Sequence, residues 1–305
     1  MTYELLDDYN IKYIKLTNHK KSLIGKISEY LARSMLTYTI CKKIKPDLAF
    51  GIADFYIAQM GKLLGFKSYV FTDTEHVKLD PFFTFPFSSH IVTPSTFSRN
   101  LGEKQIKYKG YHELAYLHPN HFTPDPNCLK FLKLNIGQQF VIIRFVSWDA
   151  LHDIGHSGLS YNMKLKIVTS LSKKYKVFIS SESNLPPELD RYRMNIPPDL
   201  VHDVLYYSSL YIGEGATMAS ECAVLGTPAI YVNSLDLGYI DEQRDKYGLI
   251  FHMADAESII SKSLTLLGDK KTPKKWLIKN RRLIRDKIDV TDFLNSLIEK
   301  QVSND

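Results

Sequence analysis

The chain has 305 residues, of which 44% are hydrophobic and 24% are charged, and its formal net charge at pH 7 is +6. This is the composition of a soluble globular protein with enough chain for two domains, and no apolar run is long enough to span a bilayer. The start, "MTYELLDDYNIKYIKL", lacks the apolar core of a signal peptide, so we expect a cytoplasmic protein. The three cysteines, Cys41, Cys128 and Cys222, lie far apart, which argues against a disulfide framework and a cysteine zinc site.

Short β-rich runs alternate with helical patterns along the first part of the chain. The stretch 20–44 predicts an amphipathic helix, because Leu23, Ile27, Leu31 and Met35 recur at helical spacing. Three predicted strands follow it: "DLAFGI" (47–52), "KSYVFT" (67–72) and "HIVTP" (90–94).

The same rhythm restarts after residue 138. Near-continuous apolar strands between amphipathic helices are typical of parallel sheets covered on both faces. The predicted elements, in order, are strand "QFVIIRFVS", helix "YNMKLKIVTSLSKKY", strand "KVFIS", helix "PDLVHDVLYYSS", strand "LYIG", helix "ATMASECAVLG" and strand "PAIYVN".

These patterns predict an α/β protein made of two Rossmann-like, doubly wound parallel-sheet domains that face a cleft. The first domain is expected at 1–115, and the proline-containing stretch "YLHPNHFTPDPN" (116–127) is interpreted as a connector. The second domain is expected at 128–270, followed by C-terminal helices (271–305) that pack back across the domains. Ligands of such sheets bind beyond the carboxyl ends of the strands, so candidate chemistry is expected just after the strands.

The motif "IGEGATMASECAVLGTP" (212–228) places Gly213 and Gly215 between a strand and a helix. The N–H groups at Gly215, Ala216 and Thr217 are predicted to hold a diphosphate at the helix start. Glu221 lies one turn after Thr217 and is predicted to bind ribose hydroxyls. The alternative is an ordinary strand–helix turn with a solvated glutamate, and Glu214 would repel a phosphate unless its side chain turned away.

Two other segments follow predicted strands. In "FTDTEH" (71–76), Asp73, Glu75 and His76 are candidates for general-base work or acceptor binding; a helix cap with solvated acids is the alternative. In "RFVSWDALHDIGHSG" (144–158), Arg144 and Ser147 are candidates for phosphate binding, and His152 and His156 lie in the same polar loop. We expect no metal site there, because the HxxxH spacing falls in a glycine-containing loop rather than on a helix.

Three stretches leave both a structural and a functional interpretation open. Glu242 and Arg244 in "GYIDEQRDKYG" (238–248) either face the cleft or form surface ion pairs. The phenylalanines of "DPFFTFPF" (80–87) either pack in the core or line a site for an apolar or lipid-bearing acceptor. The basic run 270–287 is either a helix with a solvated face or a membrane-surface contact.

With these motifs, the chain resembles domain-of-unknown-function 354, a family of predicted glycosyltransferases, over nearly its whole length. By weaker similarity the family resembles GT-B glycosyltransferases and UDP-N-acetylglucosamine 2-epimerases. The matching stretches are "FTDTEH", "YKGYHELAYLHP", "RFVSWDALHDIGHSGLS", "IGEGATMASECAVLGTPAIYVNS" and "KYGLI".

The resemblance implies roles for several residues. Gly215 and Ala216 would contact a donor diphosphate and Glu221 the ribose, while the acidic segment Asp73 to His76 matches the position of family acids. It also implies a leading strand–helix unit ahead of "YELLDDYN", which the first domain is expected to lack. Two explanations stay open, a start codon assigned too late and a remnant that binds without turnover.

The function expected from these residues is metal-independent transfer of a sugar from a nucleotide-diphosphate donor, UDP-linked by the resemblance, to a saccharide or lipid-linked acceptor. Asp73 or Glu75 would deprotonate the acceptor hydroxyl. No cofactor and no nucleic-acid partner are expected, and the contact with a membrane, if made, would be peripheral and at its inner face. The alternatives are a nucleotide-sugar 2-epimerase and a truncated, non-catalytic nucleotide-sugar-binding protein.

Overall fold

The computed structural model describes residues 2–17, 22–77, 80–146, 159–181, 184–233 and 235–302. It divides into two compact units, an N-terminal unit that ends at Tyr108 and a C-terminal unit that begins at Lys109. Each unit contains one parallel sheet with helices around it, which confirms the predicted α/β class. Among the described residues no helix combines the length and the apolar character that crossing a bilayer requires.

The N-terminal unit has a four-stranded sheet in the order β1-β2-β3-β4, with all neighbouring strands parallel. Its centre is apolar, and Val70 and Val92 on the two inner strands are fully buried. The elements of the unit are α1 (Thr2–Asp8), α2 (Leu23–Ile44), β1 (Leu48–Ile52), α3 (Phe55–Leu64), β2 (Lys67–Phe71), α4 (Asp80–Phe83), β3 (His90–Pro94) and β4 (Gln105–Tyr108).

The long helix α2 forms as predicted, but its apolar stripe is not buried. Ile27, Leu31 and Met35 are 56%, 57% and 73% exposed. The helix packs on α3 through a different side, where the ring of Tyr30 lies 5.9 Å from the ring of Tyr56. Helical spacing therefore predicted the element and not the side that contacts its neighbour.

The phenylalanine-rich segment that contains α4 divides between the surface and the core. Phe82 is 71% exposed, whereas Phe85 is buried. The core interpretation therefore holds for Phe85, while the acceptor-site interpretation stays a prediction.

The C-terminal unit has a five-stranded parallel sheet in the order β6-β5-β7-β8-β9. The strands predicted for this unit are all present. β5 pairs with β6 on one side and β7 on the other, and its nearly continuous apolar sequence is typical of such a buried strand. Its elements are β5 (Phe140–Phe145), α5 (Tyr161–Ser172), β6 (Lys176–Ser181), α6 (Pro187–Asp190), α7 (Val201–Tyr207), β7 (Leu210–Gly213), α8 (Ala216–Leu225), β8 (Ala229–Tyr231), α9 (Gly238–Asp245), β9 (Ile250–His252), α10 (Ala256–Gly268), α11 (Thr272–Asp286) and α12 (Val290–Val302).

The boundary between the units differs from the one predicted at residue 115, because the residues after Tyr108 belong to the C-terminal unit. The hydroxyl of Tyr111 donates to Glu242 at 2.6 Å, and the N–H of Asp125 donates to Asp203 at 2.6 Å. The stretch interpreted as a connector, 116–127, is thus fixed within that unit. The C-terminal helices belong to it as well: α11 contacts α8, and α12 contacts the 3-10 turn at His112–Ala115.

A buried ion pair joins the end of α11 to α9. The ammonium of Lys287, whose side chain is 1% exposed, donates to Oε2 of Glu242, and the hydroxyl of Tyr111 donates to the same oxygen. Lys246 reaches the other oxygen at 3.2 Å from a solvated position. Burial alone would raise the pKa of Glu242, but the hydrogen bonds from Lys287 and Tyr111 outweigh it and hold the pKa below its usual value.

Removing the buried partner of this pair should be much more costly than removing the solvated one. We expect Lys287→Met to lower the free energy of unfolding by about 3 kcal/mol, because it leaves a half-buried carboxylate without its cation. Lys246→Met, the matched control, should cost less than about 1 kcal/mol. Urea unfolding followed by tryptophan fluorescence measures both, since the buried Trp276 lies in the C-terminal unit.

The cost of Lys287→Met should also depend on pH. A carboxylate with a lowered pKa stabilises the fold above the pKa of the unfolded chain, about 4.3 for a glutamate, and this contribution is lost as the pH falls through the lower folded value. The difference between wild type and Lys287→Met should therefore shrink at acid pH. Equal costs for Lys287→Met and Lys246→Met at pH 7 would contradict this assignment.

Candidate functional site

The carboxyl ends of β5 and β7 bring together most of the binding residues predicted in the C-terminal unit. Arg144 and Gly213 are register partners on the two strands, and Gly215, Ala216 and Thr217 follow directly. The guanidinium of Arg144 donates to Ser180 Oγ at the end of β6, at 2.6 Å. A cationic side chain thus lies on the strand beside the one that leads into α8.

The two glycines of the motif have different physical roles. A Cβ on Gly213 would lie 2.0 Å from the hydroxyl oxygen of Tyr211 and 3.0 Å from Cβ of Arg144, so packing requires the glycine. A Cβ on Gly215 would meet only Val146, at 3.9 Å. The space beside Gly215 is therefore open to an approaching ligand among the described residues, whereas Gly213 shapes the strand end.

The first turn of α8 presents main-chain donors. Gly215 is the N-cap, and no side chain in the described part of the protein caps the helix. The N–H of Ala219 makes the first helical bond, to Gly215 O, so the N–H groups of Ala216, Thr217 and Met218 precede the helical ladder. The helix dipole is equivalent to about half a positive charge at this end, which these N–H groups carry. The start of α8 therefore favours an anion.

Glu214, the residue between the glycines, turns away from this helix start. Its carboxylate is buried and accepts the N–H of Val146 at 3.0 Å and the N–H of Leu159 at 2.6 Å. The ammonium of Lys164 lies 3.4 Å from the same carboxylate. The carboxylate of Glu214 is thus bonded to Val146, Leu159 and Lys164 and meets the condition set from the sequence, that its side chain turn away from a bound phosphate.

Glu221 is held by two side chains that the sequence did not identify. It is 7% exposed, and its Oε1 lies 2.9 Å from the hydroxyl of Tyr116, which donates to it, and 3.1 Å from Nε2 of His202. The rings of Tyr116 and His202 lie 5.3 Å apart. Within the described residues Oε2 of Glu221 makes no hydrogen bond, so one acceptor remains for a ligand.

The neighbouring Cys222 and Tyr211 serve packing. Burial raises the pKa of both groups well above their usual values, so both are neutral at physiological pH. A neutral buried thiol is a poor nucleophile, and Cys222 is therefore a core residue of α8.

Three predicted binding residues, Ser147, His152 and His156, lie outside the described residues. Glu242 and Arg244 both form ion pairs, while the alternative that they face the cleft stays a prediction. Glu242 pairs with Lys246 and Lys287, and Arg244 lies 2.8 Å from Asp241.

The acidic segment predicted for catalysis follows β2 in the N-terminal unit. Asp73 and Glu75 are half-buried, and His76 is exposed. Oε1 of Glu75 accepts the N–H of Ser98 at 3.2 Å, while Arg99 donates to the main-chain oxygen of Glu75 at 3.3 Å. The three residues thus lie together at the carboxyl edge of that sheet, and Glu75 also fixes the loop after β3.

One group of side chains has the composition of a metal site, but its bonding has another explanation. Donor atoms of His121, Asp289 and Asp292 lie within 4.8 Å of one another. Asp289, however, accepts the N–H groups of Thr291 and Asp292 at the start of α12 and also bonds to His121 and Asn120. Its oxygens serve as a helix cap, next to a helix end that disfavours a cation.

Nearly the whole chain matches the model of one protein family. The model described as "Protein of unknown function (DUF354)" matches residues 2–294. An uncharacterized protein of Methanocaldococcus jannaschii is 22% identical over 269 residues, which cover 85% of this chain and 78% of that protein.

Solved structures that match this chain include UDP-GlcNAc 2-epimerases and a glycotransferase. A UDP-GlcNAc 2-epimerase of Neisseria meningitidis, solved with UDP-GlcNAc, matches with a TM-score of 0.70 and 14% identity over 99% of this chain and 88% of that one. The glycotransferase of kitacinnamycin matches with a TM-score of 0.57 and 12% identity over 95% of this chain and 85% of that one. At identities this low the structural matches establish a common fold only, and they confirm the predicted GT-B-like class.

The different roles of the two glycines can be tested on stability. We expect Gly213→Ala to lower the free energy of unfolding by about 1–3 kcal/mol, because the new methyl group overlaps Tyr211. Gly215→Ala, the matched control two residues away, should cost less than about 1 kcal/mol, since it only weakens the N-cap. Urea unfolding measures the free energy of unfolding of both variants. Equal losses in Gly213→Ala and Gly215→Ala would refute the packing role of Gly213.

Proposed function

The chain belongs to the DUF354 family, and from the geometry of its C-terminal unit we propose that it binds a nucleotide-diphosphate sugar and transfers the sugar to an acceptor hydroxyl. The donor would lie at the carboxyl edge of the C-terminal sheet. The fold shared with a glycotransferase and with UDP-GlcNAc 2-epimerases supports a substrate of this class.

The observation that carries the proposal is the start of α8. The N–H groups of Ala216, Thr217 and Met218 precede the first helical hydrogen bond, a Cβ at Gly215 would meet only Val146 among the described residues, and the carboxylate of Glu214 turns away. Arg144 adds a cation on the adjacent strand. Two phosphates carry more charge than either feature would balance alone, so the pair suits a diphosphate.

Glu221 would bind the ribose of the same nucleotide. It lies one turn after Thr217, and its Oε2 has no partner among the described residues. Ribose hydroxyls donate hydrogen bonds, and a carboxylate oxygen accepts them strongly. Tyr116 and His202 would act as positioning residues, because they fix the carboxylate through its other oxygen.

The proposed reaction needs no metal. As the sugar leaves, negative charge grows on the diphosphate, and the α8 donors together with Arg144 would meet it. Asp73 or Glu75 would accept the proton of the acceptor hydroxyl, as the acceptor oxygen bonds to the sugar carbon and the bond to the diphosphate breaks. Turnover should consequently be unchanged when EDTA is added.

A nucleotide-sugar 2-epimerase is the second candidate, supported by the match of the Neisseria meningitidis epimerase to nearly the whole chain. The two functions differ in what they need. An epimerase converts UDP-GlcNAc alone into its 2-epimer, whereas a transferase releases UDP at speed only when an acceptor is present. Proton NMR of UDP-GlcNAc incubated with the protein separates them: the epimer would establish the second candidate in place of the first.

Removal of the Arg144 guanidinium should lower the affinity for the diphosphate. We expect Arg144→Met to lower the affinity for UDP by about ten- to a hundredfold, the range for losing a hydrogen bond to a charged group. The affinity for uridine, which has no phosphate, should change little. Isothermal titration calorimetry measures both, with Arg193→Met, an exposed arginine paired with Asp190, as the matched control. Equal losses in the two variants would contradict the assignment of Arg144.

The ribose contact can be isolated by changing ligand and protein together. Wild-type protein should bind UDP about tenfold more tightly than 2′-deoxy-UDP. Glu221→Gln should lose this preference, because an amide nitrogen replaces the acceptor while the other oxygen still accepts from Tyr116. A preference that survives in Glu221→Gln would show that Glu221 does not bind the ribose, without bearing on the diphosphate site.

A further inference from the structure

A groove lies at the amino edge of the C-terminal sheet, opposite the edge that carries the candidate site. Its volume is about 1040 Å³. Residues just before three strands line it, at Gln139, Ser209 and Pro228, which precede β5, β7 and β8. The strands are parallel, so Arg144 and Gly213 lie at their other ends. The groove is therefore distinct from the proposed nucleotide site.

The walls of the groove are apolar. Three elements supply them: the segment after Tyr116, the end of α7 and one side of α11. Leu266 and Leu267 at the end of α10 also line it and are buried. The exposed apolar residues around it include Tyr206, 42% exposed, and Leu277, 47% exposed. Apolar area of this kind, left in contact with water, marks an interaction surface.

The rim of the groove is basic. Lys270, Arg281 and Arg285 line it, and the lining acid, Asp269, lies 2.7 Å from Lys275. Helix α11 as a whole has six basic residues and one acidic residue in its sequence, TPKKWLIKNRRLIRD. The groove and α11 therefore present apolar side chains and positive charges close together.

The orientation of α11 separates its structural residues from its surface residues. Trp276 and Leu283 are buried, and the indole N–H donates to Leu249 O at 3.1 Å. These contacts fix the helix on the unit. Ile278, 61% exposed, and the exposed Arg281 lie on the outer side. Core packing thus explains the buried side of α11, and within the described residues the outer side with Ile278 and Arg281 stays exposed.

We propose that this groove and the outer side of α11 form a docking surface for anionic phospholipids at a bilayer. Charge complementarity selects the partner: Lys270, Arg281 and Arg285 would face lipid phosphates, and Leu277 and Ile278 would enter the acyl region. The largely apolar lining of the groove suits a hydrocarbon chain, which a nucleic acid does not offer. Docking through this edge leaves the carboxyl edge of the same sheet accessible to a nucleotide.

The test is partition onto vesicles, measured by sedimentation of the full chain. One vesicle preparation is phosphatidylcholine alone, and the other mixes it with phosphatidylglycerol in equal parts. Wild-type protein should partition at least about tenfold more strongly onto the anionic vesicles, and added salt should reduce the difference. Arg281→Glu with Arg285→Glu should remove at least about tenfold of that binding, because both charges reverse at the lipid surface.

The matched control is Arg191→Glu with Arg193→Glu, which makes the same charge change at exposed arginines after α6. It should retain wild-type partition. Leu277→Ser with Ile278→Ser should weaken binding severalfold while leaving its salt dependence, which separates apolar insertion from charge. Thermal unfolding of each variant verifies the fold.

Two results would overturn the proposal. One is equal partition of wild-type protein onto both vesicle types. The other is a loss in the Arg191/Arg193 control as large as the loss in the Arg281/Arg285 variant, since binding would then follow net charge alone. Neither result bears on the nucleotide site, because UDP binding is measured separately by calorimetry.

Discussion

The buried carboxylate of Glu214 lies between the two motif glycines in sequence, and its direction decides whether the start of α8 can hold an anion. A carboxylate aimed at the helix start would cancel the partial charge of the first-turn N–H groups. Instead it accepts the N–H groups of Val146 and Leu159 and pairs with Lys164. These bonds direct the negative charge of Glu214 away from the first turn of α8, where it would oppose a phosphate.

The remaining features of the site depend on the sheet. Parallel pairing of β5 with β7 brings Arg144 beside Gly213, and the short turn after Gly213 aims α8 at the same edge. Glu221 then follows one turn along that helix, fixed by Tyr116 and His202. The opposite edge of the sheet carries an apolar groove with a basic rim. The C-terminal unit thus has two chemically different edges, which suit a nucleotide and a lipid surface respectively.

Much of this could be predicted from the sequence, because parallel strands buried on both faces are nearly continuous apolar runs. Seven of the nine strands that the described residues form, and the helix after Gly215, were predicted this way, whereas the short strands β4 and β9 were not. The packing role of Gly213 could also have been predicted from the sequence. Alternate residues of a strand lie on the same face, so the ring of Tyr211 occupies the space that a side chain at 213 would need.

Other features depend on contacts distant in sequence. The partners of Glu221 lie 105 and 19 residues away, and no local pattern connects Tyr116 or His202 to it. The unit boundary differed for the same reason, since the hydroxyl of Tyr111 finds its partner 131 residues later. On α2 the spacing of Ile27, Leu31 and Met35 predicted the helix correctly, but the side that packs is the one with Tyr30.

The most direct test of the central claim is amide NMR of nitrogen-15-labelled protein titrated with UDP. The largest shifts should fall on the N–H signals of Ala216, Thr217 and Met218, moving downfield as they donate to the diphosphate, while Ser209 and Thr227 at the opposite edge stay unchanged. Saturating UDP that left the α8 signals in place, or that moved the opposite-edge signals instead, would contradict the account.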